Sequence, residues 1–226
     1  MIHSQTVVKV IEMRRVTSSA LALVVLAMAA CGQTGGQAPS EQAAAPADLT
    51  GPWTLDSASS KIAFASIKSG ELIETHYFPG LSGSVTASGE ASVTIPLDQV
   101  ETKIDQRNAR MRTMFFETDQ FPVAEIRALV DPGAFSDLAI GARFTTELEG
   151  SLSLHGTSSS VFAEVFVTRI GARRIEVATS EPVIVHVADH NLEAGLEALR
   201  EIANLPAITP AVPVTFTLVF ESDSDD

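Results

Sequence analysis

The longest regular pattern in the chain runs from Arg143 to Ile170. From Phe144 to Gly156 the even positions read Phe144, Thr146, Leu148, Gly150, Leu152, Leu154 and Gly156, while the odd ones read Arg143, Thr145, Glu147, Glu149, Ser151, Ser153 and His155. Alternation of period two sets one row of side chains on an apolar face and the other on a wet face, as in an antiparallel strand buried on one side. A helix would scatter the same leucines around its girth. His155-Gly156-Thr157-Ser158 supplies a turn whose glycine can take a positive φ, and Val161 to Val167 supplies a second β-rich run. The spacing predicts a long hairpin. Open edges of that length invite aggregation, so the hairpin points to a sandwich or a barrel.

Further strands are predicted at Lys61–Lys68, with Ile62, Phe64 and Ser66 on one face, and as a pair at Thr75–Phe78 and Leu81–Thr86 interrupted by Pro79-Gly80. Others fall at Ala91–Leu97, Val123–Val130, Arg173–Ser180, Val183–Val187 and Val212–Glu221, with a turn at Asp131-Pro132-Gly133. Between Lys103 and Glu117 the period turns helical through Ile104, Met111, Met114 and Phe115, with Asp105 as the expected N-cap. Asn191 to Asn204 is the clearest helix. Its apolar stripe is Leu192, Leu196, Leu199 and Ile202, Asp189 or Asn191 is the expected cap, and Pro206 stops it. The fold expected is mainly β: a closed antiparallel barrel of about eight strands with one or two short helices, its interior wide enough for its own side chains or one slender ligand.

The chain has 226 residues, 45% of them hydrophobic, which suits one domain of ordinary core size. Met13-Arg14-Arg15, the apolar run Ala20 to Ala30 and the small residues before Cys31 predict a lipoprotein signal over residues 1–30, with Met1 or Met13 as the true start. The apolar run is too short to cross a bilayer. Cys31 is the only cysteine, which leaves no partner for a disulfide or a metal cluster and makes lipidation its expected use. A Gly-, Gln-, Ala- and Pro-rich tether over 31–48, a barrel domain over 49–222 and an acidic tail over 223–226 complete the expected organisation. The expected location is the periplasm, lipid-anchored, with the outer membrane preferred.

The formal charge is −13, and loss of residues 1–30 removes Lys9, Arg14, Arg15 and Glu12 and leaves −15. So acidic a body repels phosphate backbones and anionic bilayer surfaces and argues against a nucleic-acid partner. Membrane contact is therefore expected through the lipid on Cys31.

Trp53-Thr54-Leu55-Asp56-Ser57 with Ile62-x-Phe64, then Arg107-Asn108-Ala109-Arg110-Met111-Arg112, Phe115-Phe116, Phe121-Pro122 and Gly150-x-Leu152-x-Leu154-His155-Gly156-Thr157 stand in an order and spacing that resembles the YceI-like family of bacterial periplasmic lipid- or polyisoprenoid-binding proteins. The resemblance covers about Trp53 to Phe220. It departs at Ser59-Ser60, where the family often has His-Ser, and at Arg107-Asn108-x-Arg110-Met111, where the family has Arg-Asp-x-His-Leu. It implies a lipocalin-like barrel holding a long apolar chain, with no catalytic centre and no cofactor other than a bound isoprenoid lipid.

The residues themselves give little support to an enzyme. There is no Gly-x-Ser-x-Gly elbow, no His-Glu-x-x-His and no P-loop, and His186 and His190 straddle a predicted strand end rather than share a helical face. His155 is read as a turn or surface residue, or as part of a ligand mouth. Eleven phenylalanines stand against one tryptophan and one tyrosine, which fills space without offering hydrogen bonds. Phe64, Phe78, Met111, Phe115, Phe121, Phe144, Leu148 and Leu152 are the candidate lining of an apolar tunnel, and packing of the core by the same residues is the plain alternative. Lys103, Arg107, Arg110 and Arg112 form a basic island. They are either a solvated helical face paired with Glu101 and Asp105, or, through Arg107, Arg110 and Arg112, a clamp for an anionic head group. Two functions stay open at this point: a carrier of an isoprenoid lipid, such as a quinone or a polyprenyl phosphate, and a ligand-free scaffold lipoprotein. The oligomeric state also stays open, a homodimer included.

Overall fold

The computed structural model describes residues 51–223; the expected signal, Cys31, the tether and residues 224–226 of the acidic tail lie outside the described residues. Within 51–223 the strands are β1 (Trp53–Leu55), β2 (Lys61–Lys68), β3 (Leu72–Phe78), β4 (Ser82–Val85), β5 (Glu90–Pro96), β6 (Val123–Leu129), β7 (Arg143–Leu154), β8 (Thr157–Gly171), β9 (Arg174–Thr179), β10 (Val183–His186) and β11 (Ala211–Ser222). The α-helices are α1 (Asp105–Arg110) and α2 (Glu193–Ile202).

Eight strands in the order β1-β4-β5-β6-β7-β8-β9-β11 form an antiparallel barrel that closes where β11 returns to β1. The long β11 makes this closure and more. Its end, Thr217 to Glu221, pairs with β9, and Phe220 to Ser222 with β1; its beginning pairs with β10 over Ala211–Val214 and with β2 over Val214–Thr217. β10 and the β2–β3 hairpin are thus additions to the eight.

The predicted hairpin forms as β7 and β8, paired without a slip from Leu154↔Thr157 to Arg143↔Thr168. Its two-residue turn has positive φ at both His155 (50°) and Gly156 (76°), the geometry whose twist matches the flanking strands. Where the sequence suggested that β3 and β4 pair, they do not: β3 pairs with β2, and β4 lies between β1 and β5. The Pro79-Gly80 pair is a corner rather than a bulge. Gly80 sits at φ 73°, and Leu81 beyond it is buried, so the chain leaves the hairpin and enters the barrel wall.

Both expected helix caps are replaced. Asp105 is the first residue of α1, and Ile104 occupies the cap position without a side-chain bond. The polar work falls to the buried Asn108, whose Oδ1 accepts from Thr102 N at 2.8 Å and Thr102 Oγ1 at 2.6 Å. At α2 the cap position is Leu192, while Asn191 takes the left-handed conformation and donates from Nδ2 to Thr157 Oγ1 at 2.7 Å. The turn at Asp131 tightens into a 3-10 segment, Pro132–Phe135, with Asp131 Oδ1 accepting from Gly133 N.

One half of the barrel is solid. Trp53, 2% exposed, is buried there and meets Phe135 edge-on at 6.3 Å between ring centroids. Val165, Val167, Ile175, Leu218 and Phe220 belong to the same buried core. Arg169, fully buried, donates to the carbonyls of Leu138, Gly171 and Ala172 near the β8–β9 turn, so its charge answers backbone acceptors that the barrel end would leave unpaired.

Candidate functional site: an apolar cavity with a cationic opening

The other half of the barrel is hollow. A cavity of about 310 Å³ lies between the barrel wall and a helical cover. Its wall comes from alternate positions of the strands, as period two dictates: Ile62, Phe64, Ser66 and Lys68 on β2, and Leu148, Gly150, Leu152 and Leu154 on β7. The cover is the α2 stripe, Leu192, Leu196, Leu199 and Ile202, together with the segment that follows α1.

That segment, Met111–Phe115, is a π-helical turn closed by Phe116 N donating to Met111 O at 2.9 Å. The wide turn holds one more residue than an α-turn, which lets Met111, Phe115 and Phe116 all line the cavity. α2 crosses this turn through Gly195. A Cβ there would meet Met114 O at 2.6 Å and Phe115 Cα at 2.9 Å, so only glycine permits so close a crossing. An aromatic row runs from His76 through Phe64, Phe78 and Phe116 to Phe115, with neighbouring centroids between 4.8 and 5.8 Å apart.

Polar groups gather at one end. Arg107 donates two bonds to Glu74, at 3.0 and 2.9 Å, and a third to Thr102 O at 2.6 Å; Lys68 also pairs with Glu74. These partners draw the Glu74 carboxyl down to about 2, the Lys68 bond first and then the Arg107 guanidinium. His76, 4% exposed, shares a 2.9 Å bond between Nε2 and Ser66 Oγ. Burial, and then the Arg107 charge, push its pKa down to about 4, so it is neutral at ordinary pH. The lining contains Lys68, Arg107 and Arg110 and no carboxylate. Among the described residues Arg110 forms no side-chain hydrogen bond or ion pair.

Of the tunnel residues expected from sequence, Phe64, Phe78, Met111, Phe115, Leu148 and Leu152 meet around this cavity. Phe144 and Phe121 do not line it. Phe144 faces inward in the solid half, four residues down β7 from Leu148, and packs into the core there. Phe121 packs outside on the hairpin turn, 3.0 Å from where a Gly156 Cβ would stand and with its centroid 4.4 Å from the His155 ring. His155 is a turn residue bonded to Glu117 at 2.8 Å and takes no part in the lining. The basic island divides. Arg107 and Arg110 reach the cavity, whereas Arg112 turns to Asp98 O at 3.4 Å, and Arg107 pairs with Glu74 of β3 rather than with Glu101 or Asp105.

Lys68, Glu74, His76 and Phe116 were not singled out by the sequence as site residues. Lys68 could have been found by continuing the face of Ile62, Phe64 and Ser66 one step. His76 and Glu74 depend on the β2–β3 register, where Phe64 faces His76 and Ser66 faces Glu74. His186 and His190 stay apart in role: His190 is buried and bonded to Ser159 Oγ at 3.1 Å, and among the described residues no group of three or more His, Cys, Asp or Glu is placed to hold a metal ion.

The model of the YceI-like domain matches residues 53–220. A polyisoprenoid binding domain from Saccharophagus degradans, implicated in plant cell wall breakdown, is 39% identical; the match covers 75% of this chain and 98% of that one, with a TM-score of 0.74. BcnA of Burkholderia cenocepacia is 18% identical over 73% of this chain and 98% of its own, with a TM-score of 0.57, a likeness of fold. No curated protein matches the chain.

Proposed function

The chain belongs to the YceI-like domain family, and from that premise we propose that its barrel carries or sequesters a long apolar lipid of isoprenoid type, a quinone or a polyprenyl phosphate. The observation that carries this reading is the cavity itself: an apolar space walled by the strands and α2 whose lining also reaches Lys68, Arg107 and Arg110. The tail lies along the aromatic row, and the head group meets the cations. Arg110 is the cation that has no partner to give up, whereas Arg107 is already paired with Glu74. The similar domain of Saccharophagus degradans, a polyisoprenoid binding domain, supports the same ligand class. The protein acts in the periplasm, held to a membrane by lipid on Cys31.

Each buried methylene is worth about 0.8 kcal/mol against water, so a long isoprenoid would soon pass the practical ceiling of roughly 18 to 21 kcal/mol for non-covalent binding. The ligand's real alternative is a bilayer. Its transfer from there is nearly balanced, and tight holding in water is compatible with ready exchange at a membrane.

Native mass spectrometry of protein purified from its own envelope tests the reading. It should show one bound isoprenoid chain, lost on incubation with vesicles, and Leu152→Glu should lower occupancy by placing a charge in the cavity. An empty protein, unchanged by Leu152→Glu, would instead favour the scaffold lipoprotein.

A further inference from the structure

Among the residues that line the cavity, the exposed ones are Ile202 and Ala203, so the cavity reaches solvent at the end of α2. Two other segments border the same opening. The tip of the β2–β3 hairpin is tied to the chain after α2 by Ser69 N donating to Ala207 O and Thr209 N to Ile67 O, both at 2.9 Å. The start of α1 is tied to the hairpin by the Arg107–Glu74 pair.

These three segments carry large apolar side chains in water: Leu72 is 55% exposed, Ile73 62%, Ile104 49% and Ile202 48%. Leu72 pairs with Lys68 and lies in the same row of β3 as His76 and Phe78, so it continues the cavity wall past the rim. Ile202 does the same from α2, since it both lines the cavity and stands in solvent. An apolar surface continuous with an apolar cavity is what a ligand that must never be wetted requires.

Charge selects the partner. The outer face of the β7–β8 hairpin presents Glu147, Glu149 and Glu164, all exposed, and a phosphate-covered surface repels it. The opening presents Arg110, together with Lys68 and Arg107 paired to Glu74, in its lining and the exposed Lys103 just before α1, beside exposed carboxylates at Glu71, Asp105 and Glu201 on the rim. Cations on long aliphatic stems beside apolar side chains match the boundary between phosphates and hydrocarbon.

We propose that the open end of the barrel is a docking surface for a lipid bilayer: Leu72, Ile73, Ile104 and Ile202 enter the interface and the cavity opens directly onto the hydrocarbon. The inference rests on the lipid-carrying reading. It adds to that reading an orientation, opening down, and a path by which the ligand passes from bilayer to barrel without crossing water. The strongly negative net charge then serves to hold the walls off the membrane.

Fluorescence in the full chain tests it, because the single native tryptophan, Trp53, is buried in the solid half. Ile73→Trp places a reporter on the rim, and Phe162→Trp places one on the exposed wall, where Phe162 is 66% exposed. With vesicles of brominated phosphatidylcholine, quenching is expected for Ile73→Trp and not for Phe162→Trp. In parallel, Ile73→Asp with Ile104→Asp, both outside the cavity lining, should slow transfer of bound lipid to phosphatidylcholine vesicles roughly tenfold or more, while occupancy before vesicles are added matches the parent. Equal quenching at both positions, quenching at neither, or unchanged transfer overturns the docking surface. So does a dimer mass with the Ile73→Trp reporter already shielded in vesicle-free buffer, which would give the rim to a second copy of the chain. A parent protein that carries no lipid would sink the lipid-carrying reading instead, and the quenching comparison would still decide the docking.

Discussion

Along β7 the inward positions pass from Phe144 and Thr146 in the solid half of the barrel to Leu148, Gly150 and Leu152 in the hollow half, with no break in the alternation. The halves differ in what fills them. In the solid half Trp53 packs against Phe135, and Arg169 is buried near the β8–β9 turn. In the hollow half the inward positions include Ala124, Ala128, Gly150 and Ala163, and the cover is made of helices. The pattern of polar and apolar positions thus builds the wall, while the size of the inward side chains decides whether the wall encloses a core or a cavity.

The largest effect should come from emptying the solid half. Trp53→Ala should cost about 3 to 5 kcal/mol in denaturant unfolding, and Leu148→Ala, beside space that is already open, roughly 2 kcal/mol. Equal costs would erase the distinction between the halves.

Next in size is the effect of acid on the hollow half. His76 has an ordinary value of 6.5 in the unfolded chain and about 4 in the folded one, lowered by burial and then by Arg107. Between these values the unfolded chain binds the extra proton, so stability is full above about pH 6.5 and is lost as pH falls toward 4, roughly 3 kcal/mol in all. Urea midpoints measured across this range should show the loss, and His76→Phe should flatten it. Glu74 contributes stability that is full above about pH 4.5 and is lost as pH falls from there toward about 2, the range in which the unfolded chain takes up its proton and the folded chain does not.

Filling the hollow half should cost less in stability than it removes in binding. Ala163→Phe should lower lipid occupancy roughly tenfold, about 1.4 kcal/mol, while the unfolding free energy moves by less than about 1.5 kcal/mol. The smallest effect belongs to Arg112→Ala. This side chain lies outside the lining, so both lipid affinity and stability should stay within about 0.5 kcal/mol of the parent.

The long hairpin, the α2 stripe and most strands were legible because each is a local period in the chain. The placing of Phe144 and Phe121 was not, since it depends on which half of the barrel a position enters and on what packs against the turn at Gly156. The pairing of Arg107 with Glu74, 33 residues apart, was also hidden. A helix pattern offers Glu101 and Asp105 as neighbours, and only the lie of α1 against β3 brings the Glu74 carboxylate nearer. The corner at Pro79-Gly80 shows the same limit: the turn residues were plain, and the strand that each side would pair with was not.

The chain enters the barrel at its solid end, where Trp53 pairs with Ser222 and Asp223 N bonds to Pro52 O, while the opening lies at the far ends of β2 and β11. A strand as long as β11 extends about 40 Å, and somewhat less along a barrel axis to which it is tilted. An anchor on Cys31 would therefore hold the barrel from the end opposite its mouth. The roughly twenty residues between that cysteine and Trp53 can span at most about 70 Å, enough to run back along the barrel and let the mouth reach the surface that holds the anchor. Cut to about a quarter, the same segment would reach at most about 18 Å, and the mouth would face away from its own membrane. With such an anchor, the length of that segment, rather than its composition, would set which membrane the barrel could exchange with: the one it was moored to, or one across the gap.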